Sequence, residues 1–156
     1  MWVSVTGVSR VHDVARAWTD PAFRARLLAD GSAAAAELGF GSQVSGFQLR
    51  VVANSPERHN VIVCTLCSCY PVALLGPSPS WYKSLAYRSR TVREPRSVLT
   101  EFGLDLPEDV AVTVWDSTAE ARYLVLPVRP DGTDGRTAGE LAGLVTRAGL
   151  IGTARV

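Results

Sequence analysis

Cys64, Cys67 and Cys69 are the chain's three cysteines, and they fall within one six-residue run. An odd number of thiols cannot close a disulfide framework, and three placed this tightly point to metal or redox chemistry. The spacing C-x-x-C-x-C supplies soft donors, which favour a thiophilic transition metal over magnesium or calcium. Only Ser68 separates Cys67 from Cys69, so binding both to one ion forces the Ser68 and Cys69 backbone amides close to it. Those nitrogens can ligate if they lose their protons. A peptide N–H is a very weak acid, so this demands a highly charged, strongly binding ion such as Co(III) or Fe(III). The set would be three sulfurs and two nitrogens from one short loop, with a sixth position open as a catalytic site requires. Two plainer alternatives stand beside it. One is a closed zinc site that adds His59, although structural zinc usually draws paired ligands from two separate loops. The other is a set of inert buried thiols, since cysteine packs like a small hydrophobe.

The elements that must position these residues change period along the chain. Val11, Val14, Ala15 and Trp18 fall at helical spacing. Asp20-Pro21 reads as an N-cap followed by proline at the first helical position, with Phe23, Leu27 and Leu28 as the apolar stripe and Asp30-Gly31 as the stop. Ser32 is expected to cap a short alanine-rich helix that runs through Leu38 and closes at Gly39. A glycine-rich connector, Gly39 to Gly46, leads to a half-buried strand in which Phe47, Leu49 and Val51 alternate with Gln48, Arg50 and Val52. Asn54 to Arg58 reads as a turn. Val61-Ile62-Val63 is a wholly apolar strand ending at Cys64, so the cysteine run begins where a buried strand breaks into a loop. Pro71, Gly76, Pro77 and Pro79 keep the next segment irregular. Helix returns after Ser80 with Trp81, Leu85 and Arg88, and again from Glu94-Pro95, with Val98, Leu99 and Phe102 inward and Gly103 as stop. Val110 to Trp115 and Arg122 to Leu126 read as strands on either side of Asp116-Ser117-Thr118. Thr137 and Glu140 form a capping box for a last helix carrying Leu141, Leu144 and Val145. The expected fold class is α+β: N-terminal helices, then a layered α/β/β/α-type core with the cysteine loop after a buried strand, all in a single domain over residues 1–156.

Composition narrows the partners. Apolar residues make up 47%, charged residues 20%, and the formal net charge is +1. That balance gives no footing for a nucleic-acid groove or a membrane surface. The opening Met1-Trp2-Val3-Ser4-Val5 lacks the basic and apolar regions of a signal peptide, which places the expectation in the cytoplasm.

Val63-Cys64-Thr65-Leu66-Cys67-Ser68-Cys69-Tyr70-Pro71 resembles the metal motif of nitrile hydratase alpha subunits. The likeness extends through Ala17-Trp18-Thr19-Asp20-Pro21, His59-Asn60-Val61-Ile62-Val63, Trp81-Tyr82-Lys83-Ser84, Tyr87-Arg88-Ser89-Arg90, Trp115-Asp116-Ser117-Thr118-Ala119-Glu120 and Arg122-Tyr123-Leu124-Val125-Leu126-Pro127. It covers about Val8 to Gly152. The gamma subunit of thiocyanate hydrolase shares the pattern. The resemblance implies Cys64, Cys67 and Cys69 as sulfur ligands and the Ser68 and Cys69 amides as nitrogen ligands. It implies Cys67 oxidised to a sulfinate and Cys69 to a sulfenate, with Cys69 and Cys67 as the catalytic pair. Thr65 is typical of cobalt members, so Co(III) is expected and Fe(III) is the alternative. It further implies a beta-type subunit over the site, an activator chaperone that delivers the metal, and a small-molecule nitrile hydrated to its amide, the metal acting as Lewis acid. Arg122 matches a family arginine at the subunit interface; a plain surface ion pair is its other reading.

Three departures from the family pattern carry expectations of their own. The family's N-terminal helical arm is not matched. Gly41-Ser42-Gln43-Val44-Ser45-Gly46 replaces the usual segment before the first strand, with Ser45 where a pocket glutamine is expected. Val72 stands where tryptophan usually follows the motif. Both changes remove bulk and imply a pocket wide enough for a bulky or heteroaromatic nitrile. Two other functions remain open at this point: a thiocyanate hydrolase gamma-type subunit, and a non-catalytic cobalt-binding or delivery subunit.

Overall fold

The computed structural model describes residues 14–39, 41, 46–66, 69 and 78–156. Residues 14–19 are helical, and the Trp18 indole N–H donates to the Pro127 carbonyl at 2.8 Å, tying this first turn to the far end of the sheet region. Helix α1 (Pro21–Ala29) starts as the sequence requires: the Asp20 carboxylate accepts from the Phe23 N–H at 3.0 Å, and proline occupies the first turn. Phe23 and Leu27 are its buried side chains.

Helix α2 (Gly31–Glu37) begins two residues earlier than the sequence suggests. Asp30 ends α1 and caps α2, accepting from the Ala33 N–H at 3.0 Å. Ser32, the expected cap, lies inside the helix, and its hydroxyl accepts from the Leu49 N–H at 2.8 Å. An aspartate two residues upstream outcompetes it as a cap, which leaves the serine to satisfy a strand amide. Gly31 explains the closeness: a Cβ there would stand 2.6 Å from the Leu49 carbonyl oxygen. With Ala34 and Ala35 also buried, the small-residue face of α2 lies directly on the strand.

Among the described residues, four strands form two parallel pairs. β1 (Gln48–Ala53) pairs with β4 (Ala121–Leu126), with Gln48 opposite Ala121 and Ala53 opposite Leu126. β2 (Arg58–Val63) pairs with β3 (Ala111–Asp116), with Val63 opposite Asp116. β2 is buried from His59 to Val63, as a parallel strand covered on both faces is; its apolar part is Val61–Val63, and the buried His59 and Asn60 side chains are hydrogen-bonded. The helix expected after Ser80 divides: a 3-10 turn (Ser80–Lys83) ends at Ser84, which then caps α3 (Leu85–Arg93). α4 (Pro95–Glu101) follows, and Phe102 is its C-cap. Phe102 is 39% exposed and rests tilted against Trp81 and edge-on against Tyr87 rather than in the core. The capping box of Thr137 and Glu140 opens α5 (Ala138–Ala142). That helix stops before Leu144 and Val145, and a separate α6 (Arg147–Ile151), capped by Thr146, completes the chain's regular structure.

The main core gathers Phe23, Leu27, Leu49, Val51, Val63, Tyr82, Tyr87, Leu126, Leu150 and Ile151. Each large side chain buried there contributes roughly 1.5–3 kcal/mol of transfer free energy. Helices and strands mix in one chain, which is the α+β class. Among the described residues no helix is long and apolar enough to cross a membrane. A hollow of about 500 Å³ opens between Asn54–Pro56, Pro127–Asp131 and Ala154–Val156. It lies at the His59 end of β2, away from Cys64.

Candidate metal centre

Cys64 is the residue immediately after β2, and it is fully buried. The strand end that carries it is held from two sides. On the β3 side, the Ser117 N–H donates to the Val63 carbonyl at 2.7 Å, continuing the parallel pairing one step past the strand. On the helix side, the Tyr87 hydroxyl donates to the Ile62 carbonyl at 2.6 Å. Burial pushes the Tyr87 phenol above its ordinary range, so it remains a donor at every physiological pH.

Thr65 turns the chain outward. Its N–H donates to one oxygen of the Asp116 carboxylate at 2.9 Å, and its hydroxyl donates to the other at 2.6 Å. Both oxygens of one carboxylate are thus committed to one residue of the loop. The register that sets Val63 opposite Asp116 puts the acid within reach. Arg88, on α3, donates from Nε to the Cys64 carbonyl at 3.0 Å and from Nη2 to the Thr65 carbonyl at 2.9 Å. Leu66 then stands 81% exposed. At the far end, Cys69 is half-buried, and its carbonyl accepts from the Tyr82 hydroxyl at 2.9 Å.

Of the residues singled out in the sequence, Cys64 and Cys69 are therefore placed at the two ends of one loop. Cys67, Ser68, Ser45 and Val72 lie outside the described residues. Arg122 lies on β4 opposite Leu49, its guanidinium 4.5 Å from the centroid of the Phe47 ring. A tight turn, with the Thr118 N–H bonded to the Ala121 carbonyl, links its strand to the one ending in Asp116. Three residues carry the loop although their types alone gave no hint of it: Asp116, Arg88 and Tyr82. Their partners are main-chain atoms or a threonine hydroxyl, which leave no mark in a sequence.

His59 is removed from the list of possible ligands. It lies five residues upstream of Cys64 along an extended strand, roughly 16 Å away at the usual rise per residue. Both ring nitrogens are engaged: Nε2 with the Gly152 carbonyl at 2.6 Å and Nδ1 with the Asn54 side-chain amide nitrogen at 3.3 Å. Asn54 Oδ1 accepts from the Asn60 N–H, so its amide nitrogen faces the ring as a donor. This fixes Nδ1 as acceptor and Nε2–H as donor, a neutral imidazole. Burial lowers the His59 pKa, with the Gly152 carbonyl opposing and Arg155 adding to the depression. The folded state thus prefers the neutral ring, and the unfolded chain takes up the proton first. Stability from this group is present above about pH 6.5 and drains away as the pH falls below it. The melting temperature should drop on acidification from about pH 7 to 5, and His59→Gln should flatten that part of the profile. An unchanged slope in the variant would assign the acid sensitivity elsewhere.

The donor set fits a thiophilic ion. Three thiols lie within six residues, the first on a rigid strand end and the last on a loop whose carbonyl is held. Such a set makes the loop a candidate site for a metal ion on an α+β scaffold.

Comparison with known proteins gives the chain its family. The family model for the nitrile hydratase alpha chain matches residues 3–154, and the chain belongs to that family. It is 54% identical over 140 residues to the cobalt-containing nitrile hydratase subunit alpha of Pseudonocardia thermophila, covering 89% of this chain and 68% of that protein. It is 50% identical over 151 residues to the thiocyanate hydrolase subunit gamma of Thiobacillus thioparus, covering 90% of this chain and 62% of that protein. Among solved structures, a double-mutant form of the Fe-type nitrile hydratase from Comamonas testosteroni Ni1 superposes with a TM-score of 0.91 at 49% identity, over 96% of this chain and 72% of that one.

Proposed function

We propose that this chain, residues 1–156 as one domain, is the metal-binding catalytic subunit of a cobalt nitrile hydratase, active with a beta-type partner. The observation that carries this reading is the Cys64–Cys69 run in a chain about half identical to a cobalt-containing alpha subunit. Cys64, Cys67 and Cys69 would hold Co(III) through sulfur, and Ser68 and Cys69 through their amide nitrogens. When bound, the ion supplies Lewis acidity toward the nitrile nitrogen, which makes the nitrile carbon electrophilic. In this reading Cys67 and Cys69 would carry oxygen added beforehand by an external oxidant such as dioxygen; the Cys69 oxygen would either pass to the nitrile carbon, its S–O bond breaking and water restoring it, or orient the water that attacks. Water and nitrile combine to the amide with no other product. Asp116 and Arg88 hold the near side of the loop throughout. An activator chaperone delivers the metal, and Arg122 faces the beta-type subunit.

The test is co-expression with the cognate beta-like chain in cobalt medium, followed by turnover assays on aliphatic, aromatic and heteroaromatic nitriles and on thiocyanate. Hydration of nitriles supports the reading. Turnover of thiocyanate alone supports the second one, a thiocyanate hydrolase gamma-type subunit, which the likeness to the Thiobacillus protein favours. Bound cobalt with no turnover of either points to a delivery subunit.

Substrate size follows from Ser45 and Val72. Both are smaller than the residues the family carries there, so the group behind the nitrile carbon has room to be bulky. Val72→Trp should shift preference from bulky to small nitriles by roughly 10- to 200-fold in relative kcat/KM. An unchanged ratio would remove Val72 from the pocket.

A further inference from the structure

Both ends of the cysteine loop are tied to one short stretch of chain. Tyr82, fully buried on the 3-10 turn, reaches the Cys69 carbonyl. Six residues later, Arg88 reaches the Cys64 and Thr65 carbonyls. The spacing between these two side chains is set by backbone. Ser84 donates its hydroxyl to the Trp81 carbonyl at 2.8 Å and accepts from the Tyr87 N–H at 3.1 Å, joining the 3-10 turn rigidly to α3. The rings of Trp81, Tyr82 and Tyr87 pack on one another at centroid distances of 4.9–6.4 Å, and Tyr87 is itself bonded to β2. Residues 80–93 therefore form a fixed frame that touches both ends of the six-residue loop.

The Arg88 bond to Thr65 is exposed, and those to Cys64 and Cys69 are only partly buried. Water can replace a lost partner at such sites with little loss of stability. What the contacts do is narrow the conformations of a loop that must bring three thiols onto one ion. Ordering that loop at the moment of binding would be subtracted from affinity.

We propose that Tyr82 and Arg88 are positioning residues that set the separation of Cys64 and Cys69 before metal arrives. The proposal rests on the metal-binding reading given above. It is tested on the full chain co-expressed with its beta-type partner in cobalt medium, comparing the parent with Tyr82→Phe and Arg88→Lys. Tyr82→Phe keeps the buried ring and removes the hydroxyl. Arg88→Lys keeps the charge and loses the fork that spans two carbonyls. Each variant should lose cobalt to a chelator roughly 3- to 10-fold faster than the parent, with a shifted thiolate-to-cobalt charge-transfer band. The unfolding temperature of the metal-free chain should stay within about 3 °C. Cobalt loss and an absorption band identical to the parent's would overturn the proposal. So would a fall in metal-free stability large enough to account for the loss of metal, or failure of both variants to fold, since the contacts would then be structural. If only Tyr82→Phe fails to accumulate, Arg88→Lys decides. A parent chain that takes up no cobalt counts against the metal-binding reading instead.

Discussion

Cys64→Ala and Cys69→Ala should each strip the assembled enzyme of cobalt and cut nitrile hydration by on the order of a thousandfold or more, since Lewis-acid activation contributes several kcal/mol. The two should differ in what they do to the metal-free chain. Cys64 is fully buried at the end of β2, and trimming its sulfur leaves a small void worth about 1 kcal/mol. Cys69 is half-buried on the loop, where the same change leaves little void to fill. Elemental analysis and thermal unfolding of the metal-free chain read these effects separately. If either variant kept stoichiometric cobalt and near-parent turnover, that cysteine would not be a ligand. Equal stability loss in both would contradict the different burial of the two thiols.

What the sequence shows of the loop is local. Spacing fixes which donors can meet on one ion, and the Val61–Val63 run before Cys64 fixes where the loop leaves the strand. Local signals of the same kind identified the Asp20 cap, the Thr137–Glu140 capping box and the α+β alternation. The errors arose where two local signals competed or where the outcome depended on distant chain. Asp30 and Ser32 are both competent caps; Asp30 takes the role, and the partner that Ser32 satisfies instead is the Leu49 N–H, 17 residues away. Ser84 splits the segment after Ser80 through a cap that apolar periodicity does not reveal. The last helix divided because Thr146 offers a second cap only four residues after Ala142. The frame around the loop was least legible. Asp116 is a strand-end acid and Arg88 a basic residue on a helix that has others, and only the parallel register and the packing of α3 assign them to Thr65 and Cys64.

Gly152→Ala should be the most destabilising glycine-to-alanine change among the described residues. Gly152 ends α6 with φ +98, a left-handed conformation that strains any residue with a Cβ. The space is closed as well. A Cβ there would overlap the Asn60 carbonyl oxygen and stand 2.8 Å from the Val61 Cα. Both are backbone atoms of a strand paired along its length, so neither can swing aside as a flexible side chain would. Either α6 backs away or β2 bends, and the bond from His59 to the Gly152 carbonyl is lost. Conformational strain and overpacking together cost about 3 kcal/mol or more, a fall of roughly 10 °C in Tm for a chain of this size. Because β2 runs directly into Cys64, three residues beyond the Val61 that position 152 abuts, the same change should also loosen cobalt retention. Gly139→Ala is the matched control. It lies inside α5, where the nearest atom to a new Cβ is 3.9 Å away, and alanine is the better helix former. It should leave Tm unchanged or raise it slightly. Equal melting temperatures for the two variants would mean that α6 does not abut β2 as described.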